Sequence, residues 1–167
     1  ILDAMLYSFE RIVDFHQDQI KKNDLTSSNN SITRRVRALD NVAMYIPGGK
    51  ASYPSTVLMA TGPARAAGVN KLILTSPWPG GSINDLTLAA AYIAGVEEVY
   101  SIGGVQAIAA FGIGTESIPK VQKIIGPGNQ FVAEAKRQLY EEVGIDSIAG
   151  PSEIVVIADL ESDPITI

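Results

Sequence analysis

Four side chains in this 167-residue sequence stand beside glycine turns, where backbone geometry could bring a ligand to them: Tyr45, Gln106, Asn129 and Ser152. Tyr45 leads into Pro47-Gly48-Gly49-Lys50, and Gln106 follows Gly103-Gly104. Asn129 closes Gly126-Pro127-Gly128-Asn129, and Ser152 stands within Gly150-Pro151-Ser152-Glu153. Glycine lets the main chain come close to a bound group, and N–H groups exposed at a helix start favour anionic or nucleotide ligands. Tyr45 offers a ring and a hydroxyl, and Gln106 an amide donor and acceptor in the first turn of a small-residue helix. Asn129 falls at the N-cap position ahead of Phe131, Val132 and Ala133, so capping alone also accounts for it. A tight turn equally explains the glycines beside Tyr45, and a solvent-facing helix start explains Gln106. Ser152 has no histidine placed to activate it as a nucleophile, which leaves it as a hydroxyl donor.

Alternating short apolar runs and helical stretches must position these residues. Strands are expected at 42–46, 71–76, 98–102, 121–125 and 153–158. Helices are expected at 54–67, 85–94, 105–111 and 129–143, with Pro63 kinking or splitting the first of these. Gly80-Gly81 adds a further strand-to-helix turn, while Gly68, Gly95 and Gly144 read as helix-ending residues. Leu72-Ile73-Leu74 and Ile154-Val155-Val156-Ile157 are apolar on both faces, as buried strands of a parallel sheet are. Ahead of this alternation, Leu2, Met5, Leu6, Phe9, Ile12 and Val13 form the stripe of an amphipathic helix ending near Lys21-Lys22. His16 shares that stripe and reads as a residue at the edge of a core. A polar stretch over 23–31 and the basic residues Arg34, Arg35 and Arg37 follow, read as a loop and a solvated face. The fold class is therefore α/β: an incomplete Rossmann-like, open, doubly wound parallel sheet preceded by an amphipathic N-terminal helix.

Composition narrows the partners. Asp plus Glu number 18 against 13 Lys plus Arg, and the pI is near 4.8, a balance that disfavours nucleic acid or an anionic membrane. No run reaches the roughly 18 apolar residues of a membrane span. With no cysteine and one histidine, thiolate catalysis, disulfides and a self-contained histidine-rich metal site are excluded. No G-x-G-x-x-G fingerprint occurs, so ordinary dinucleotide-fold recognition finds no support. The sequence opens on Ile1 and stops at Ile167, which reads as a piece of a longer polypeptide.

The turn sequences carry more than the rhythm does. Tyr45-Ile-Pro-Gly-Gly-Lys50, Pro54-Ser-Thr56, Gly103-Gly-Val-Gln-Ala-Ile108 and Phe111-Gly-Ile-Gly-Thr-Glu-Ser-Ile-Pro-Lys120 occur in that order. Ile124-Ile-Gly-Pro-Gly-Asn129, Glu134-Ala-Lys-Arg137, Ala149-Gly-Pro-Ser-Glu153 and Val156-Ile-Ala-Asp159 follow. Taken together they resemble the histidinol dehydrogenase family over roughly 37–159.

The resemblance implies NAD-dependent oxidation of L-histidinol to L-histidine through the aldehyde, with a bound zinc, in a cytoplasmic homodimer. It matches Tyr45, Gln106 and Asn129 to NAD contacts and Ser152 to a substrate contact. It divides the chain into an NAD-side lobe over 45–152, with 1–44 and 153–167 belonging to a second, incomplete lobe. The family's zinc ligands, among them a Gln-x-x-His signature, and its Glu-His acid/base pair lie in segments later than Ser152. No catalytic residue and no metal ligand is therefore expected here, and the chain is expected to be inert alone. The alternative is a non-catalytic nucleotide- or anion-binding α/β module.

Overall fold

The structure, a computed structural model, describes residues 1–23, 36–48, 52–78, 84–148, 153–159, 161–163 and 165. Helix α1 (Leu2–Asn23) comes first, followed by β1 (Asn41–Tyr45), α2 (Pro54–Ala66), β2 (Lys71–Thr75) and α3 (Asp85–Ile93). Then come β3 (Glu98–Tyr100), α4 (Gly104–Ile113), β4 (Lys123–Ile125), α5 (Gln130–Gln138) and β5 (Gly144–Ile145). All pairings are parallel, in the order β3-β2-β1-β4-β5. The order reverses between β1 and β4, where Val42 faces Lys123 and Met44 faces Ile125. In an open parallel sheet, such a switch point leaves a crevice at the strand carboxyl ends, because the connections on either side run to opposite faces.

Strand alternation divides the core into two layers. Val42, Met44 and Ile46 of β1 and its extension join Leu72 and Leu74 of β2 under Val57, Leu58 and Ala64 of α2 and Ala90 and Ala91 of α3. Ala43, Tyr45 and Ile73 point the other way, against Ala107, Ile108 and Phe111 of α4 and Val132 of α5. The sheet is thus doubly wound, as the two-faced apolar strands require. Met5, Phe9 and Ile12 of α1 pack on the first layer, and Ile12 lies so close to Gly62 of α2 that a Cβ there would overlap it. His16 is half-buried on α1 and hydrogen-bonds Gln19 across 2.7 Å, in keeping with its place at a core edge.

Three expectations change. Pro63 does not divide α2; it sits near the last turn, where the following residues close the helix through Ala67 and Gly68. Helix α5 ends at Gln138 rather than near 143, because the chain must turn there to lay Gly144 and Ile145 along β4. The expected fifth strand at 153–158 is not formed. Ile154, Val155 and Ile157 are 83%, 87% and 95% exposed, so this apolar run has neither a strand partner nor a covering layer among the described residues. The fifth strand is instead the two-residue β5, at a position read from sequence as a helix end. Strand β1 begins at Asn41, ahead of position 45 where the sequence reading opens the lobe. The loop expected at 23–31 lies outside the described residues from 24 onward, as do Arg34, Arg35, Lys50 and the Gly80-Gly81 turn. Arg37 is exposed. No helix of the described residues is long and apolar enough to cross a membrane.

Candidate functional site at the sheet switch point

Tyr45 ends β1 with its ring in the second core layer, only 4% exposed. Burying a phenol is costly unless its hydroxyl is bonded, and here it accepts the Gly104 N–H at 3.1 Å. That N–H is one of the orphan donors that open α4, so the central strand holds the start of the crossover helix. Gln106, in the first turn of α4, is exposed. The glycine before it is tightly enclosed, since a Cβ on Gly103 would collide with the Pro77 ring. The glycine pair therefore serves close packing of strand-end loops as well as any ligand.

Asn129 is exposed and caps α5: its Oδ1 accepts from the Phe131 and Val132 N–H groups, both at 3.0 Å. The capping expectation holds, and the cap uses the side-chain oxygen, not the two N–H donors of the amide. Gly126, at the start of the same turn, has φ +108°, and a Cβ there would run into the Tyr45 carbonyl oxygen. Through this contact and the Tyr45–Gly104 bond, the ends of β1 and β4 and the starts of α4 and α5 meet at one edge. Tyr45, Gln106 and Asn129 are thus gathered at the switch point. Ser152 lies outside the described residues.

Two residues not read from the sequence complete this edge. Lys136 of α5 is buried, and its Nζ donates to the Gly126 carbonyl and to Asp146 Oδ1, each at 2.7 Å. The other oxygen of Asp146 accepts the Gly126 N–H at 2.7 Å. The available signal for Lys136 was its spacing: it lies four residues after Val132, on the buried stripe of α5. Asp146, beyond β5, carried no comparable signal.

Burial pushes the Asp146 carboxyl up, but hydrogen bonds from Lys136 and from the Ser147 and Gly126 N–H groups outweigh it and hold the pKa below the ordinary 3.8. A carboxyl with a depressed folded pKa adds stability that is complete above its unfolded value and is lost as pH falls through the lower folded value. Acid titration monitored by circular dichroism should therefore show stability draining away below about pH 3.8. Asp146→Asn should remove that part of the acid limb while lowering stability near neutral pH.

A cavity of about 660 Å³ is on the opposite face of the sheet, lined by apolar residues such as Val42, Met59, Ala60 and Ile125. It marks sheet surface beside α2, and only Gly126, Pro127 and Asp146 connect it to the switch-point edge. The convergence of polar groups and helix starts lies at the edge itself, which is the better ligand site on chemical grounds. Among the described residues no three His, Cys, Asp or Glu side chains are grouped to hold a metal ion.

The family model described as histidinol dehydrogenase matches residues 1–167. The chain is 49% identical over 166 residues to a histidinol dehydrogenase of Chromobacterium violaceum, covering 98% of this chain and 38% of that protein. It is 52% identical over 166 residues to the one of Gluconobacter oxydans, covering 98% and 39%. A solved histidinol dehydrogenase structure from Elizabethkingia anophelis superposes with a TM-score of 0.70 at 36% identity, covering 98% of this chain and 41% of that one. The chain thus spans well under half the length of these relatives.

Proposed function

The chain belongs to the histidinol dehydrogenase family, and from that premise we propose that it forms the NAD-side lobe of a cytoplasmic, homodimeric oxidoreductase converting L-histidinol to L-histidine through the aldehyde. The observation that carries the reading is the meeting of Tyr45, the α4 start and the α5 start at the switch point of a parallel sheet. A dinucleotide needs helix N-termini for its phosphates and amide groups for its sugars and base; α4 and α5 supply the first, and exposed Gln106 and Asn129 the second. Bound NAD supplies the hydride acceptor. Tyr45 holds the α4 start through Gly104, its hydroxyl there acting as the acceptor. In this reading the lobe expected over 45–152 takes in all of β1 from Asn41, 153–167 belong to a second lobe, and Ser152 contacts the substrate. Among the described residues no group of side chains fits the family's zinc.

NAD should bind these 167 residues measurably, by calorimetry or ligand-observed NMR. Gln106→Ala should weaken binding about fivefold to tenfold, the loss of one or two hydrogen bonds, without lowering the melting temperature. Asn129→Ser keeps a capping oxygen and deletes the amide donors, so it should weaken NAD binding while sparing α5. Unchanged affinity in both variants would remove these residues from the cofactor site. Because the family's acid/base pair and metal ligands are expected in segments later than Ser152, the chain should produce no NADH from L-histidinol, NAD and zinc. Measurable NADH would overturn that expectation. Binding of NAD, AMP and inorganic phosphate with equal affinity would favour the plain anion-binding module instead.

A further inference from the structure

We propose that Lys136 and Asp146 are positioning residues for the cofactor, setting the Gly126–Asn129 turn that presents Asn129 and the α5 start. The proposal rests on the cofactor-lobe reading above and goes beyond it, to residues that do not themselves face the ligand. Three observations carry it. First, one ion pair occupies both main-chain polar groups of Gly126: Lys136 Nζ bonds its carbonyl, and Asp146 accepts its N–H. Second, the Lys136 side chain is 3% exposed, and a buried ammonium without partners would be costly, so its direction is dictated by these two acceptors. Third, Lys136 stands about two turns into the helix whose first turn Asn129 caps, so the helix reaches back to hold the turn that starts it.

The result is a closed circuit. From the end of β4 the chain passes through Gly126, Pro127 and Gly128 into α5, and Lys136 returns to Gly126, with Asp146 bracing the joint from the end of β5. A pocket of about 220 Å³ opens beside this joint, lined by Gly126, Pro127, Gly128, Lys136 and Asp146 among others. With the ion pair cut, the turn has room to move into that space, and Asn129 moves with it. Small displacements of a group that orients a ligand weaken binding without touching the ligand.

Lys136→Met keeps the apolar stem and deletes both bonds. NAD affinity, measured well below the melting temperature, should fall about tenfold, whereas exposed Lys120→Met should leave it unchanged. The Gly126 and Asn129 amide resonances should shift and exchange faster. In Lys136→Met/Asp146→Leu the unpaired carboxylate is gone, so the melting temperature should recover relative to Lys136→Met while NAD affinity stays low. Recovery of both together would mean that the pair only stabilises the fold and would overturn the positioning role. So would full NAD affinity in Lys136→Met. If Lys136→Met does not fold, Asp146→Asn carries the same comparison. Absence of NAD binding by the unsubstituted chain overturns the cofactor-lobe reading, and this one with it.

Discussion

Gly126→Val should lower the unfolding free energy by about 4 kcal/mol, combining a backbone penalty of ~1–3 kcal/mol with an overpacking penalty of similar size. Gly126 has φ +108°, which an L side chain rarely adopts, and its missing Cβ leaves room for the Tyr45 carbonyl. Both penalties act at once: relaxing φ moves the turn off the Lys136–Asp146 pair, and keeping φ drives valine into the central strand. For a chain of this length the loss corresponds to a melting temperature about 10 °C lower. Pro127→Ala is the control, since Pro127 is exposed and the change acts mainly through unfolded-chain entropy, by less than about 1 kcal/mol. Urea unfolding of both variants checks the comparison, and a Gly126→Val loss no larger than that of Pro127→Ala would refute the account of the turn. NAD affinity should fall in Gly126→Val even at temperatures where it is folded, because Asn129 is carried on the displaced segment.

Phe111→Ala should cost about 3–5 kcal/mol, the range for emptying a buried aromatic site. The ring is fully buried, packs edge-to-face on Tyr100 at 5.3 Å, and lies in the layer that joins α4 to β1 and β4. Its loss opens space beneath the helix that carries Gln106. Affinity for NAD should therefore decline along with stability, unlike in a variant on the outer side of the same helix. Val105, 41% exposed, supplies that comparison: Val105→Ala should stay within about 0.5 kcal/mol of the parent. Denaturant midpoints for the pair decide it, and equal midpoints would mean that the second core layer does not hold α4.

Near-neighbour physics made much of this molecule legible in the sequence. The continuous apolar run of Val42–Ile46, the N-cap at Asn129, Pro54 at a helix start and Gly95 at a helix end are signals within one or two turns of chain. They sufficed for four strands, five helices, a parallel doubly wound sheet and, with the turn phrases, the family. Tertiary structure alone decided which segments meet. The strand order, with β4 beside β1, depends on a crossover whose return path no local propensity specifies. The Tyr45–Gly104 bond spans 59 residues, and the ties of Gly126 to Lys136 and Asp146 need two helix turns and a strand to fold first. Residues 153–158 carry the pattern of a strand without being one here, since a ladder needs a partner edge as well as a pattern. Sequence by itself determined the elements and the chemistry at their ends; packing decided that the glycines serve close backbone contacts and that a buried lysine holds the turn.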